Sequence, residues 1–243
     1  MTRRILLTGA SGRIGSFFTR AWVGKYDLLL TDLKSPLDAH GFPFVQADIA
    51  DFDKIRPLFE GVDTVVHLAA DHRTFATWEE LHAPNIVGVR NVFEAALQAG
   101  CRRVVYASSI NAVGGYPRDQ QVHSDMPPRP LNLYGASKVW GEALACYYAD
   151  QRGLSSLCLR YGWVIERDSP DLNPERKGLE RGITYNDLAK LFEAAIEADD
   201  SLRFGIFQGG SASNWRFLDI TEARRVLGFE PEDDLFALAG RPL

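Results

Sequence analysis

The chain has 243 residues, 46% of them hydrophobic and 24% charged, and a formal net charge of −5. That length and balance suit one α/β domain with a full core rather than two domains. The negative charge and the lack of any Lys/Arg stripe argue against nucleic acid or an anionic membrane surface as partner. The three scattered cysteines, Cys101, Cys146 and Cys158, argue against a disulfide framework.

In chain order, Arg4 to Leu7 reads as a buried strand and Gly12 to Val23 as the helix after it. This first apolar run is too short for a leader peptide, and no stretch has membrane-spanning length, so a cytoplasmic protein is expected. Strands are predicted at Tyr26 to Thr31, Phe42 to Val45, Val62 to Leu68, Arg103 to Ala107 and Ser156 to Tyr161. Helices are predicted at Asp51 to Phe59, Trp78 to Gly100 and Leu133 to Gln151. Short apolar runs alternating with helices predict βαβ units, hence a Rossmann-type α/β fold: a doubly wound parallel sheet buried on both faces. One domain over residues 1–243 is expected, with a small C-terminal substrate-binding appendage. Substrate-binding elements are placed mainly at 71–84, 110–130 and 163–243. They include two long loops, Ile110 to Pro130 and the charged Ile165 to Gly182, each following a strand at its ligand-binding end.

Directly after the first strand comes Gly9-Ala10-Ser11-Gly12-Arg13-Ile14-Gly15. Gly9 suits a tight turn, Gly12 a close approach of backbone to pyrophosphate, and Gly15 close packing of helix on strand. The helix start would offer free N–H groups and the positive end of its dipole to phosphates. Asp32 ends the second strand, where a carboxylate can bond a ribose 2′-OH and repel a 2′-phosphate; NAD is therefore expected over NADP. Asp48 and Ile49 follow the third strand and are placed near the adenine. Leu68, Ala69 and Ala70 end the fourth, where small residues let a cofactor lie on the backbone. His67 reads as a packed core residue, and with only His72 nearby no metal is expected.

Tyr134 and Lys138, four residues apart at a helix start, share one face. A lysine ammonium beside the phenol and the positive charge of an oxidised nicotinamide would together lower its pKa and make it a general base for a hydroxyl proton. Ser108 and Ser109 close the preceding strand, and a hydroxyl there can bond the substrate oxygen.

The set of Gly9/Gly12/Gly15, Asp32, Asp48, His67-Leu68-Ala69-Ala70, Asn85-x-x-Gly88, Ser108-Ser109, Tyr134-x-x-x-Lys138 and Leu159-Arg160 resembles the extended short-chain dehydrogenase/reductase family, of the NAD-dependent epimerase/dehydratase type. The resemblance implies Tyr134 as base, Lys138 as its tuner and a ribose contact, Ser109 as the active serine, and Asn85 as part of the cofactor site. Further segments, among them Gly115-Tyr116-Pro117, Pro128-Arg129-Pro130, Gly141-Glu142 and Gly228-Phe229-Glu230-Pro231, are most similar to the uronate dehydrogenase group. That likeness implies oxidation of a small sugar or sugar acid, a hexuronate to its lactone, with NAD as acceptor. The chain departs from the group where substrate should lie. Ile110 precedes Asn111 after the serines, Trp163 stands where a serine is usual, and the loop from Asp71 to Pro84 is longer.

For a substrate carboxylate, the fork-shaped cations considered are Arg73 and Arg176, with Asn111 and Trp163 as further substrate contacts. Other readings of the same residues are a sugar-nucleotide epimerase or dehydratase, a non-catalytic dinucleotide sensor, and an NADPH-dependent reductase, which fits Asp32 poorly. Apolar residues on more than one face of the two long helices (Val89, Val92, Phe93; Val139, Trp140, Leu144, Tyr147) predict a homodimer.

Overall fold

The computed structural model describes residues 2–213 and 215–241. Its strands are β1 (Arg4–Thr8), β2 (Asp27–Asp32), β3 (Phe44–Gln46), β4 (Thr64–His67), β5 (Arg103–Ala107), β6 (Ser155–Tyr161), β7 (Trp163–Ile165), β8 (Gly182–Thr184) and β9 (Phe204–Gly209). Seven of them form one parallel sheet in the order β3-β2-β1-β4-β5-β6-β9, and β7 and β8 pair separately. Between β1 and β4 the winding direction reverses, and this switch point opens a crevice at the strand ends.

Successive residues of each strand face opposite layers. Ile5, Leu7, Leu28, Leu30, Val105 and Leu157 pack with Phe18 and Trp22 of α1 (Arg13–Ala21) and with Leu188, Leu191 and Phe192 of α6 (Tyr185–Glu197). Leu6, Leu29, Val65, Val104 and Cys158 face the other way. They meet Val92 and Phe93 of α4 (Val89–Gln98) and Ala145 and Tyr148 of α5 (Leu133–Arg152). Both faces are dry, which is why these strands read as unbroken apolar runs.

The helix predicted from Trp78 to Gly100 is three segments. A capped first turn, α3 (Trp78–Leu81), runs into a π-helical stretch, His82–Gly88, and then into α4. Pro84 lies in the middle segment; it has no N–H to donate and its ring crowds the carbonyl four residues back, which a wider turn relieves. The Asp51 to Phe59 helix is likewise a short α2 (Phe52–Ile55) passing into a 3₁₀ turn, Arg56–Phe59, which contains Pro57.

Past Tyr161 the chain does more than form an appendage, because α6 and β9 return to complete the main sheet. The small lobe over the crevice is built from what remains. Val113, Val122, Phe217 and Leu218 form one apolar cluster. Ile165, Leu179, Leu235 and Ala239 form another, with Leu235 on α8 (Leu235–Leu238). Isolated bridges, Val122 to Leu218 and Ala212 to Asp234, tie its segments together. Asp187 of α6 fastens this lobe to the sheet layer, accepting from Ser211 Oγ at 2.6 Å and from the backbone N–H groups of Glu232 and Asp233. Among the described residues no helix is long and apolar enough to cross a membrane.

Candidate active site

The crevice is a cavity of about 990 Å³ running from the β1–α1 turn to the small lobe. At its first end Gly9 adopts φ +73°, and a Cβ there would lie 2.7 Å from the Ala69 nitrogen. At Gly15 a Cβ would lie 2.2 Å from the Gly9 carbonyl oxygen, so only glycine lets α1 sit this close to the turn. Gly12 is the N-cap of α1 and makes no side-chain cap bond, and the first turn holds no acidic residue. Unbonded amides at a dipole's positive end, with no competing carboxylate, fit a diphosphate.

Asp32 stands 2.9 Å from the Ser11 amide through Oδ2 and accepts from its neighbour Leu33 through Oδ1. It therefore ties the glycine turn to the end of β2 while still facing the cavity. Ser11, Arg13, Ile14, Asp48, Ile49, Leu68, Ala69 and Ala70 also line the cavity, as expected for a dinucleotide laid across the switch point. The residues present thus fit NAD. Lys34 contributes to the same wall, and Tyr185 was not anticipated there.

At the other end α5 presents Tyr134 and Lys138. Asn132 caps it by accepting from the Gly135 amide at 2.8 Å, and Gly135 lies so close to Asn111 that a Cβ would be 2.2 Å from that carbonyl oxygen. The Lys138 ammonium is buried, donates to the Ala107 carbonyl at 2.8 Å, and sits 5.6 Å from the centre of the Tyr134 ring. Burial pushes Lys138 down to about 7, with Glu142 working against it. Burial pushes the Tyr134 phenol up to about 12, the nearby Ser109 hydroxyl opposing and Asp71 adding to the rise. The expected lowering of the phenol by Lys138 together with the oxidised nicotinamide is not provided by the chain's own groups. In so dry a site each group by itself favours its neutral form.

The two serines separate cleanly. Ser108 is buried and donates to Glu142 at 2.6 Å. Ser109 Oγ accepts from the amide and the side-chain Nδ2 of Asn111, at 3.1 and 3.2 Å, which leaves its own proton to donate into the cavity. Trp163 and Asn111 also line this end.

Three predicted contacts are placed elsewhere. Asn85 is buried in the π-helical stretch and bonds the Asp71 amide and carbonyl and Ser137 Oγ, so it braces the loop after β4 rather than facing the cavity. Arg73 is occupied by Asp71 and Glu80 on the surface. Arg176 stacks 4.5 Å from the centre of the Trp163 ring, behind the lining. Besides Arg13 at the dinucleotide end, Arg181 lines the cavity. It was hidden in the charged run before β8, with only its place beside a strand to mark it.

Residues 5–180 match the model of the NAD dependent epimerase/dehydratase family. The whole chain aligns with 99% of an NAD-dependent glucose-6-phosphate dehydrogenase of Haloferax volcanii at 35% identity. An L-arabinose 1-dehydrogenase (NAD(P)(+)) of the same organism is 34% identical over 95% of this chain and 97% of its own length. Among solved structures, a uronate dehydrogenase from Agrobacterium tumefaciens complexed with NAD superposes with a TM-score of 0.86 at 32% identity, covering 98% of this chain and 87% of that one.

Proposed function

Since the chain belongs to the NAD-dependent epimerase/dehydratase family, we propose that it is an NAD-dependent dehydrogenase of a small sugar or sugar acid, with a hexuronate, oxidised to its lactone, as substrate. The observation that carries this reading is the convergence of Tyr134, Lys138 and the free Ser109 proton in one cavity with the glycine turn and Asp32. Uronate dehydrogenases and sugar dehydrogenases among the relatives support the substrate class.

Gly9, Gly12 and Gly15 with the open amides of α1 would hold the diphosphate, and Asp32 a ribose hydroxyl. When bound, NAD⁺ supplies the hydride acceptor and a positive ring. Ser109 donates a hydrogen bond to the substrate hydroxyl oxygen and orients it. Tyr134 Oη accepts that hydroxyl's proton as the carbon is oxidised, and Lys138 stabilises the phenolate. Exposed Trp78, Leu133, Trp140 and Tyr147 give α3 and α5 an apolar outer face that supports pairing of two copies.

The test is NADH formation from galacturonate, glucuronate and the matching neutral sugars, with Tyr134→Phe as control. The variant should lose about 10²- to 10⁴-fold in kcat yet still bind NADH. A Tyr134→Phe enzyme that turns over normally would remove the proposed base.

A further inference from the structure

Arg181 has an environment suited to an anion. It ends the 3₁₀ turn Leu179–Arg181, directly before β8, and its backbone is wedged against β6's exit. A Cβ at Gly162 would collide with the Arg181 carbonyl oxygen, and Trp163 pairs with Gly182 in register. The guanidinium carbon sits over Phe217, 4.1 Å from the ring centre. Nε and Nη2 are shut off from water and have no hydrogen-bond partner among the described residues. Glu180 approaches Nε only to 3.8 Å, beyond hydrogen-bond reach. Buried donors left unpaired cost free energy, more so on a charged group. A second cation, Arg118, lies near enough to depress Arg181 further, after burial itself. Arg118 makes no ion pair among the described residues. Of the other arginines considered, Arg73 is held by two carboxylates, and Arg176 stacks on the Trp163 ring and does not line the cavity.

Resting on the dehydrogenase reading above, we propose that Arg181 is the specificity residue that receives the acidic group of the sugar. The substrate's carboxylate or phosphate would sit at the small-lobe end of the cavity while its hydroxyl meets Ser109 and Tyr134. As the side chain stands, Nη1 is the nitrogen left open, so an oxyanion meets the guanidinium there first, and a turn of the side chain brings Nε or Nη2 to it. The relatives act, by name, on a phosphorylated sugar, a neutral sugar and uronates. A cation at this position decides between charged and uncharged members of that set.

The experiment compares wild type, Arg181→Met and Arg181→Lys with galacturonate, glucuronate, glucose 6-phosphate and the neutral sugars galactose, glucose and L-arabinose. Arg181→Met keeps a long side chain over Phe217 and removes only the charge. The wild type should prefer an acidic sugar. In Arg181→Met its KM should rise roughly tenfold to hundredfold, and by far more than the KM of any neutral sugar. Arg181→Lys should recover part of the loss. Whether the uronates or the hexose phosphate show the effect identifies the acidic group. A wild type that favours neutral sugars, or an unchanged KM in Arg181→Met, overturns the proposal. If no sugar reduces NAD⁺, the dehydrogenase reading fails and Arg181 is judged by calorimetric titration of galacturonate and glucose 6-phosphate into NADH-saturated protein. Binding by wild type that is lost in Arg181→Met upholds the anion site; no binding, or equal binding, overturns it.

Discussion

The Arg160 guanidinium grips the Glu142 carboxylate through two hydrogen bonds, Nε to Oε1 at 2.7 Å and Nη2 to Oε2 at 2.8 Å, with both side chains almost wholly out of water. Ser108 adds a third bond to the same carboxylate, and Glu142 sits one turn beyond Lys138 on α5. The pair therefore locks β6, the end of β5 and α5 to one another. Removing one partner strands a buried charge. Glu142→Ala should cost roughly 3–5 kcal/mol, read from urea unfolding. A loss below about 1 kcal/mol, the scale of exposed pairs, would show that water reaches Arg160.

Lys138 links stability to pH. Its folded pKa of about 7 lies below the ordinary lysine value of 10.5. Between those values the unfolded chain binds more protons than the folded one, so this group's contribution to stability rises with pH through that window. Without dinucleotide, the wild type should gain on Lys138→Met by up to about 1.4 kcal/mol per pH unit above pH 7. A difference that stays flat from pH 6 to 9 would mean that the buried ammonium keeps its ordinary pKa.

Asp32 is the residue proposed to govern the choice of dinucleotide. Asp32→Ala removes a charged acceptor for a ribose hydroxyl and the repulsion of a 2′-phosphate. The ratio of kcat/KM with NAD to that with NADP should fall by about tenfold to hundredfold. Because Asp32 also holds the Ser11 amide, absolute rates with both should drop, and the ratio is the informative quantity. An unaltered ratio would shift the selection to Lys34 or Arg13.

Gly135 sets where Tyr134 stands. A methyl group there meets the Asn111 carbonyl oxygen at 2.2 Å, and backbone cannot swing aside. Gly135→Ala should displace the start of α5 and lower kcat/KM about hundredfold, with circular dichroism still reporting a folded chain. Near-normal activity would show that the segment 109–112 yields instead.

The strands were legible where both faces are buried. Leu28 to Leu30 and Val104 to Val105 have no alternation to confuse, and each sits in the central sheet. β9, Phe204–Gly209, escaped notice because its two glycines and Gln208 break the apolar run. β7 and β8, three residues each, carry too little pattern to register. In the site, the glycine turn, Asp32, Tyr134 and Lys138 were readable because local geometry fixes their neighbours. Asn85 and the arginines were not. An amide spaced like a cofactor contact can as readily brace a loop, as Asn85 does for Asp71. A run holding Arg176 and Arg181 says nothing of which guanidinium turns inward; that depends on Phe217, far away in sequence.

The small lobe has its own apolar clusters and its own strand pair, and it shares no strand with the seven-stranded sheet. Heredity can therefore treat the two parts as separate texts. Substitutions around Val122, Phe217 and Leu235 revise what is admitted without disturbing the register of β1 to β6, where hydride transfer is prepared. A laboratory wishing to retarget the enzyme should randomise the lobe as one cassette and leave the sheet alone.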